Sequence, residues 1–135
     1  MGRQYLGAQA MTYLIPKTPE VFQGPTIDFT TVGAYTIFQP ISTFILTGIT
    51  FVATDVTGGV TGFSSNIGTN PPDFDNYVAG LGSSVTTDGK YQFFSLGGTV
   101  NNIIQGGSDL KINVITPDLG ATANKQRVDI LGYYL

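Results

Sequence analysis

The 135-residue chain contains no cysteine and no histidine, which excludes disulfides, thiolate or imidazole metal sites, and the usual base of serine- and cysteine-type hydrolysis. Its length suits one domain with a real core, and its formal net charge of −3 comes from nine acids and six scattered bases, not the clustered cations that bind a nucleic-acid backbone. Only 11% of residues are charged against about 25% in an average protein, so the surface either meets other protein over much of its area or is coated with Thr, Ser and Asn.

The opening Met1-Gly2-Arg3-Gln4-Tyr5-Leu6 lacks an apolar signal-peptide core, and Leu6 breaks the myristoylation pattern. No apolar run approaches the ~20 residues that span a bilayer. The expectation is a protein made and kept in a bacterial cytoplasm, with neither membrane nor nucleic acid as partner. Residues 1–25 read as an extended N-terminal arm, punctuated by Gly2, Gly7, Pro16, Pro19, Gly24 and Pro25. The arm carries Tyr5, Leu6, Met11, Tyr13, Leu14, Ile15, Val21 and Phe22, more apolar groups than a solvated tail would hold. Three readings follow: a segment lying across its own domain, an interface that docks on a neighbouring chain, or a disordered tail.

From Thr26 the pattern is one of strands, and residues 26–135 form the expected domain. Thr26–Thr30 alternates, with Ile27 and Phe29 inward; Tyr35–Phe38 follows, and Pro40 marks an end or an edge. The run from Phe44 to Asp55 is rich in β-branched and aromatic residues. Ile45, Ile49, Phe51 and Ala53 lie on one parity, and Phe44, Leu46 and Val52 on the other. A central strand covered on both sides, by its own sheets or by a neighbouring subunit, is the expectation. A short strand around Phe63–Ile67 comes next, then a long irregular loop over 68–82. Asp88-Gly89 between two strand-like runs predicts a hairpin from Ser84 to Phe94. Val100–Gln105 is a further apolar piece. Leu110–Val114 and Lys125–Ile130 alternate cleanly, with Val128 and Ile130 inward. No long segment has a 3.6-residue apolar period. About eight short strands with turn signals between them predict an all-β fold: a single antiparallel β-sandwich, for which a jelly roll is one arrangement.

Chemistry is sparse. Asp73 and Asp75 stand two apart in the 68–82 loop near Asn70 and Asn76. Their oxygens suit a hard cation such as calcium, although the spacing is not that of an EF-hand; the alternative is that Asp and Asn cap turns around Pro71-Pro72. Gly80-Leu81-Gly82 opens like a dinucleotide fingerprint but lacks the third glycine and the helix. Tyr77, Tyr91, Tyr133 and Tyr134 are candidates for a sugar platform, against the plainer reading of core packing. No catalytic residue and no cofactor is assigned, and an enzyme is not expected.

The run from Pro40 to Asp55 with Thr57-Gly58-Gly59-Val60-Thr61-Gly62, then Asn66-Ile67-Gly68-Thr69-Asn70 and Asp75-Asn76-Tyr77-Val78, resembles small β-sandwich structural proteins of tailed bacteriophages. The ending resembles them too, from Leu110–Pro117 to Val128–Tyr133. The style is most similar to capsid decoration, or cement, proteins with a jelly-roll body. Tail-fibre tips and head-fibre knobs use similar sandwiches. The resemblance implies a shell-stabilising virion protein on the capsid exterior, often a homotrimer, seated where subunits of the major capsid protein meet. The alternative is a receptor- or glycan-binding tip of a fibre or tail.

Overall fold

The computed structural model describes residues 18–96 and 102–135. Ten strands follow one another among these residues: β1 (Glu20–Phe22), β2 (Thr26–Asp28), β3 (Gly33–Phe38), β4 (Phe44–Gly58), β5 (Ser64–Gly68), β6 (Val78–Leu81), β7 (Tyr91–Ser95), β8 (Ile103–Ile104), β9 (Leu110–Thr116) and β10 (Ala121–Tyr134). No helix occurs among the described residues.

The pairing is that of a nested hairpin. β5 pairs with β6 at the tip, then β4 with β7 and β8, then β3 with β9, and β1 and β2 with β10 outermost, all antiparallel. The long hairpin is folded over itself, so that β10 also pairs with β4 and β9 with β5. β1 and β2 share one edge of the first sheet and β7 and β8 the other, around β10–β4; the second sheet runs β3–β9–β5–β6. Ten strands thus fill eight positions in the strand order of a jelly roll.

The expectation for β4 needs a correction. Thr47 has no partner between the pairs Leu46–Gly132 and Gly48–Leu131, which makes a β-bulge. One extra residue inverts the inward parity. Phe44 and Leu46 enter the core before the bulge, and Ile49, Phe51 and Ala53 after it. A second bulge at Thr54 inverts it again and returns Val56 to the interior. Much of the two-sided apolar pattern is therefore one inward face that changes parity. Only Ile45 and Val52 are left on the outer side.

The predicted hairpin from Ser84 to Phe94 also differs. Thr87–Lys90 does close a turn, with Lys90 N donating to Thr87 O at 3.2 Å, and Gly89 takes the positive φ of 79° that favours glycine. Yet residues 84–90 form no strand, and β7 pairs with β4 instead. The edge of β4 offers a longer ladder than Ser84–Thr87 could. The Asp88 carboxylate fastens the turn there by accepting from Val56 N at 2.7 Å. The 68–82 loop is shorter than expected, because Val78–Leu81 adds to the sheet edge as β6.

Two aromatic groups fill the ends of the core. Phe29 stacks on Phe63 at 3.8 Å, and Phe51 meets both edge-on. At the other end Phe44 touches Phe22, Phe38 and Tyr134, with centroids 5.4, 4.7 and 5.1 Å away. Tilted and edge-on pairs of this kind add about 0.5–1.5 kcal/mol each beyond area burial. Ile112, Val114, Val128 and Ile130 fill the space between, all fully buried. Glu20–Phe22, part of the arm by sequence, is thus a strand of the body, and Phe22 is one of its core-packing rings.

At the Phe29 end the connections are closed by one buried acid. Asp118 is 0% exposed. Its Oδ1 accepts from Thr61 N, Thr61 Oγ1, Gly120 N and Ala121 N, and its Oδ2 from Gly62 N and Asn124 Nδ2. The Gln126 side chain then donates to Asn124 Oδ1 at 2.9 Å. Burial alone pushes the Asp118 carboxyl up, but the hydrogen bonds from Thr61, Asn124 and Gly62 outweigh it and hold the group far below its ordinary 3.8.

A pH dependence follows. Below pH 3.8 the unfolded chain binds the Asp118 proton while the folded chain does not. The stability from this group is complete above that value and is lost as pH falls, by about 1.4 kcal/mol per pH unit. Asp28 acts in the same direction, lowered by hydrogen bonds from the Thr30 side chain and backbone. Urea unfolding midpoints are expected to drop steadily once pH passes below about 4; a flat acid limb would contradict this account of Asp118.

Candidate interaction surfaces

Directly paired residues of adjacent strands share a face, so the outer side of the first sheet can be read in rows. Tyr133, Ile45 and Ile103 make one row. Val21, Leu131, Gly48 and Ser95 make the next. Asp129, Thr50 and Phe93 follow, and then Thr26, Arg127, Val52 and Tyr91. Val21 is 61% exposed, Tyr91 70% and Phe93 46%. The Phe93 ring lies over Gly48, where a Cβ would come within 2.5 Å of it. The row beyond, Asp28, Lys125 and Asp55, is charged, so the face carries a solvent-open apolar patch of Val21, Leu131, Phe93, Val52 and Tyr91 beside a charged end.

Its charges fall in two neighbouring groups, the Arg127–Asp129 pair and the row of Lys125 between Asp28 and Asp55. Arg127 donates from Nη2 to Asp129 Oδ2 at 2.8 Å and from Nε to Oδ1 at 2.8 Å. Asp129 also accepts from Gly24 N at 3.2 Å, which fastens the segment after β1 to β10. The carboxylate holds the Arg127 guanidinium above its ordinary value.

The outer side of the second sheet is different in kind. It presents Thr36, Lys111, Asn113 and Asn66, and the loop after β5 folds back over it. Asn66 Nδ2 and Asn113 Nδ2 both donate to Asp73 O at 3.2 Å. Lys111 Nζ sits 5.5 Å from the Phe74 ring centroid. Phe74 takes a positive φ of 52° and donates from N to Asn70 O at 2.8 Å.

The same loop holds the residues proposed for calcium. Asp75 Oδ1 accepts from Asn70 Nδ2, and Asn70 Oδ1 accepts from Asp75 N and Asn76 N. Asn76 Oδ1 accepts from Thr69 N at 2.8 Å. These amide oxygens are engaged in the loop's own turns, as the capping reading expects. No cluster of three or more His, Cys, Asp or Glu side chains occurs among the described residues.

The four tyrosines do not gather. Tyr77 is half-buried, donates to Ile103 O at 2.7 Å and has its phenol pushed up by burial. Tyr134 is in the core group with Phe44. Tyr91 and Tyr133 share a face but pair with Val52 and Ile45, which at ~3.3 Å per residue puts them roughly 20 Å apart. Of the arm residues, Val21 is on the open face and Phe22 in the core, while Tyr5, Leu6, Met11, Tyr13, Leu14 and Ile15 lie outside the described residues.

A groove of about 420 Å³ opens beside Asp118, lined by Val60, Thr61, Gly62, Gly82, Ser83, Ser84 and Thr86. None of these side chains titrates near neutrality, so the groove supplies no acid–base pair. Sequence reasoning missed Phe93 and Leu131 as surface groups. The signal for Phe93 is visible in Tyr91-Gln92-Phe93-Phe94, where both parities carry an aromatic ring.

No family model matches the sequence, and no curated protein matches it. Among solved structures the chain is similar to one in the cyanophage Pam1 capsid asymmetric unit, with TM-score 0.54 and 19% identity over 87% of this chain and 85% of that one. The similarity is one of fold.

Proposed function

We propose that this chain is a structural protein of a bacteriophage virion, which sits on the capsid exterior and stabilises the shell by bridging subunits of the major capsid protein. The observation that carries this reading is the jelly-roll order together with a fold match along 87% of the chain to a component of a cyanophage capsid. The surface supports it: the first sheet keeps Val21, Tyr91 and Phe93 exposed, and such apolar groups gain free energy when another protein chain covers them. The role is adhesive and not enzymatic, performed as a homo-oligomer, for which a trimer suits a threefold shell position. A glycan-binding tip is the weaker reading, since Tyr91 and Tyr133 stand in separate rows of the sheet.

The test is co-sedimentation of the purified protein with empty shells of the same phage. Bound protein that raises the temperature of shell disruption is the expected result, and no binding to any shell site would end the proposal. A truncation refines it. Removing residues 1–17 spares every described strand, so the body is expected to stay folded while attachment weakens. Removing residues 1–25 also deletes β1, the Phe22 ring and the Gly24–Asp129 bond, and is expected to lower the melting temperature as well.

A further inference from the structure

We infer that the open face of the first sheet is the docking site for residues 1–17 of a second copy of this chain, so that copies are joined by exchanged N-terminal segments. This goes beyond shell attachment, and it stands or falls in solution without any capsid present.

Four observations carry it. The first is the face itself, with Leu131, Phe93, Tyr91 and Val52 side by side, the Arg127–Asp129 pair neutral within itself, and the acids Asp28 and Asp55 flanking Lys125 in the row beyond. The outer side of the second sheet is polar and already covered in part by the loop after β5, so the two faces are not equivalent.

The second is the composition of the segment. Met11, Tyr13 and Ile15 have the i, i+2 spacing that puts them on one side of an extended chain. An apolar stripe of this period matches the row spacing of a sheet face.

The third is charge. Residues 1–17 contain Arg3 and Lys17 and no acid, a net charge of +2. The rest of the chain has four bases and all nine acids, a net charge of −5. Segment and body therefore attract, while two bodies alone repel.

The fourth is where the segment joins the body. β1 runs antiparallel to β10, with Glu20 opposite Gly132 and Phe22 opposite Ile130. The chain preceding Thr18 thus meets the body at the Tyr133–Tyr134 end of the sheet, beyond the rows of the face. Pro16 and Pro19 bias Ile15 and Thr18 toward extended backbone. Continuing outward needs no reversal, whereas covering the segment's own sheet would need one. Tyr5 to Ile15 reaches up to about 35 Å when extended, enough to cross a neighbour's face.

The absence of native cysteine gives a clean test. Copies carrying Gln9→Cys, on the same side of an extended chain as Met11, Tyr13 and Ile15, are co-expressed with differently tagged copies carrying Tyr91→Cys, and a short bismaleimide is added. A link from position 9 to position 91 between the two tags is by construction between copies. The control replaces Tyr91→Cys by Ala34→Cys, an exposed position on the other sheet. The inference expects at least about tenfold more inter-tag product with Tyr91→Cys than with Ala34→Cys, because docking raises the effective concentration of the two thiols. It also expects the full chain to have the mass of an oligomer by light scattering, and the chain lacking residues 1–17 to have the mass of one copy. A single-copy mass for the full chain, an oligomer unchanged by the truncation, or equal linking at Ala34 overturns it. A link that forms only when both cysteines are in one chain would mean the segment covers its own sheet, and also refutes the exchange. Shell binding is read separately by co-sedimentation and can hold when these fail, although a single-copy mass would also remove the homo-oligomer from the proposed function.

Discussion

Replacing Asp118 by alanine is expected to destabilise the fold by about 3–5 kcal/mol, the range seen when one partner of a buried charged network is removed. Six hydrogen bonds end on this carboxylate, from Thr61, Gly62, Gly120, Ala121 and Asn124. Alanine leaves those donors facing a void, and each orphaned buried donor costs about 1–3 kcal/mol. The costs do not add fully, since water can enter from the neighbouring groove. Against a total stability of about 5–15 kcal/mol this is a large fraction. Asp118→Asn separates charge from shape: its amide turns at least one acceptor into a donor facing other donors, so it is expected to cost less than alanine but still more than 1 kcal/mol, by loss of about one charged hydrogen bond. It should also flatten the acid limb of the stability curve, because the titrating group is gone. Urea denaturation at neutral pH measures both. An Asp118→Ala shift no larger than the ~0.5 kcal/mol of an ordinary surface change would show that the loops close without it.

The second large effect belongs to the opposite end of the core. Phe44→Ala is expected to cost about 3–5 kcal/mol. Phe44 is 0% exposed and is the ring on which Phe22, Phe38 and Tyr134 converge. Deleting it removes the support of Phe22 and so loosens β1, whose ladder is only three residues long. Limited proteolysis should then cut near residues 18–25 faster than in the parent protein. The comparison is Phe93→Ala, an aromatic truncation on the same sheet but on its outer side. Phe93 is 46% exposed, so its loss should cost on the order of 1 kcal/mol while reducing self-association. If the two substitutions destabilised equally, the assignment of inner and outer faces would be wrong.

These substitutions also mark where residue patterns stop being informative. The strand-rich class, the sandwich and the inward residues of β9 and β10 follow from alternation, which is a local property: Ile112, Val114, Val128 and Ile130 need only a two-residue period to be placed. The lack of His and Cys narrowed the chemistry for the same reason, since composition needs no geometry. The parity of β4 could not be read, because the bulge at Thr47 exists only in register with Leu131 and Gly132. The Asp88-Gly89 hairpin failed because β4, far earlier in the chain, competes for β7 and offers the longer ladder. Nothing local distinguishes Asp118, which follows Pro117 directly; its donors at Thr61 and Gly62 come from 57 and 56 positions away. Short-range preference decides that a segment is extended. Which side of it becomes core, and which acid becomes a buried anchor, depends on partners that only chain closure brings within hydrogen-bonding distance.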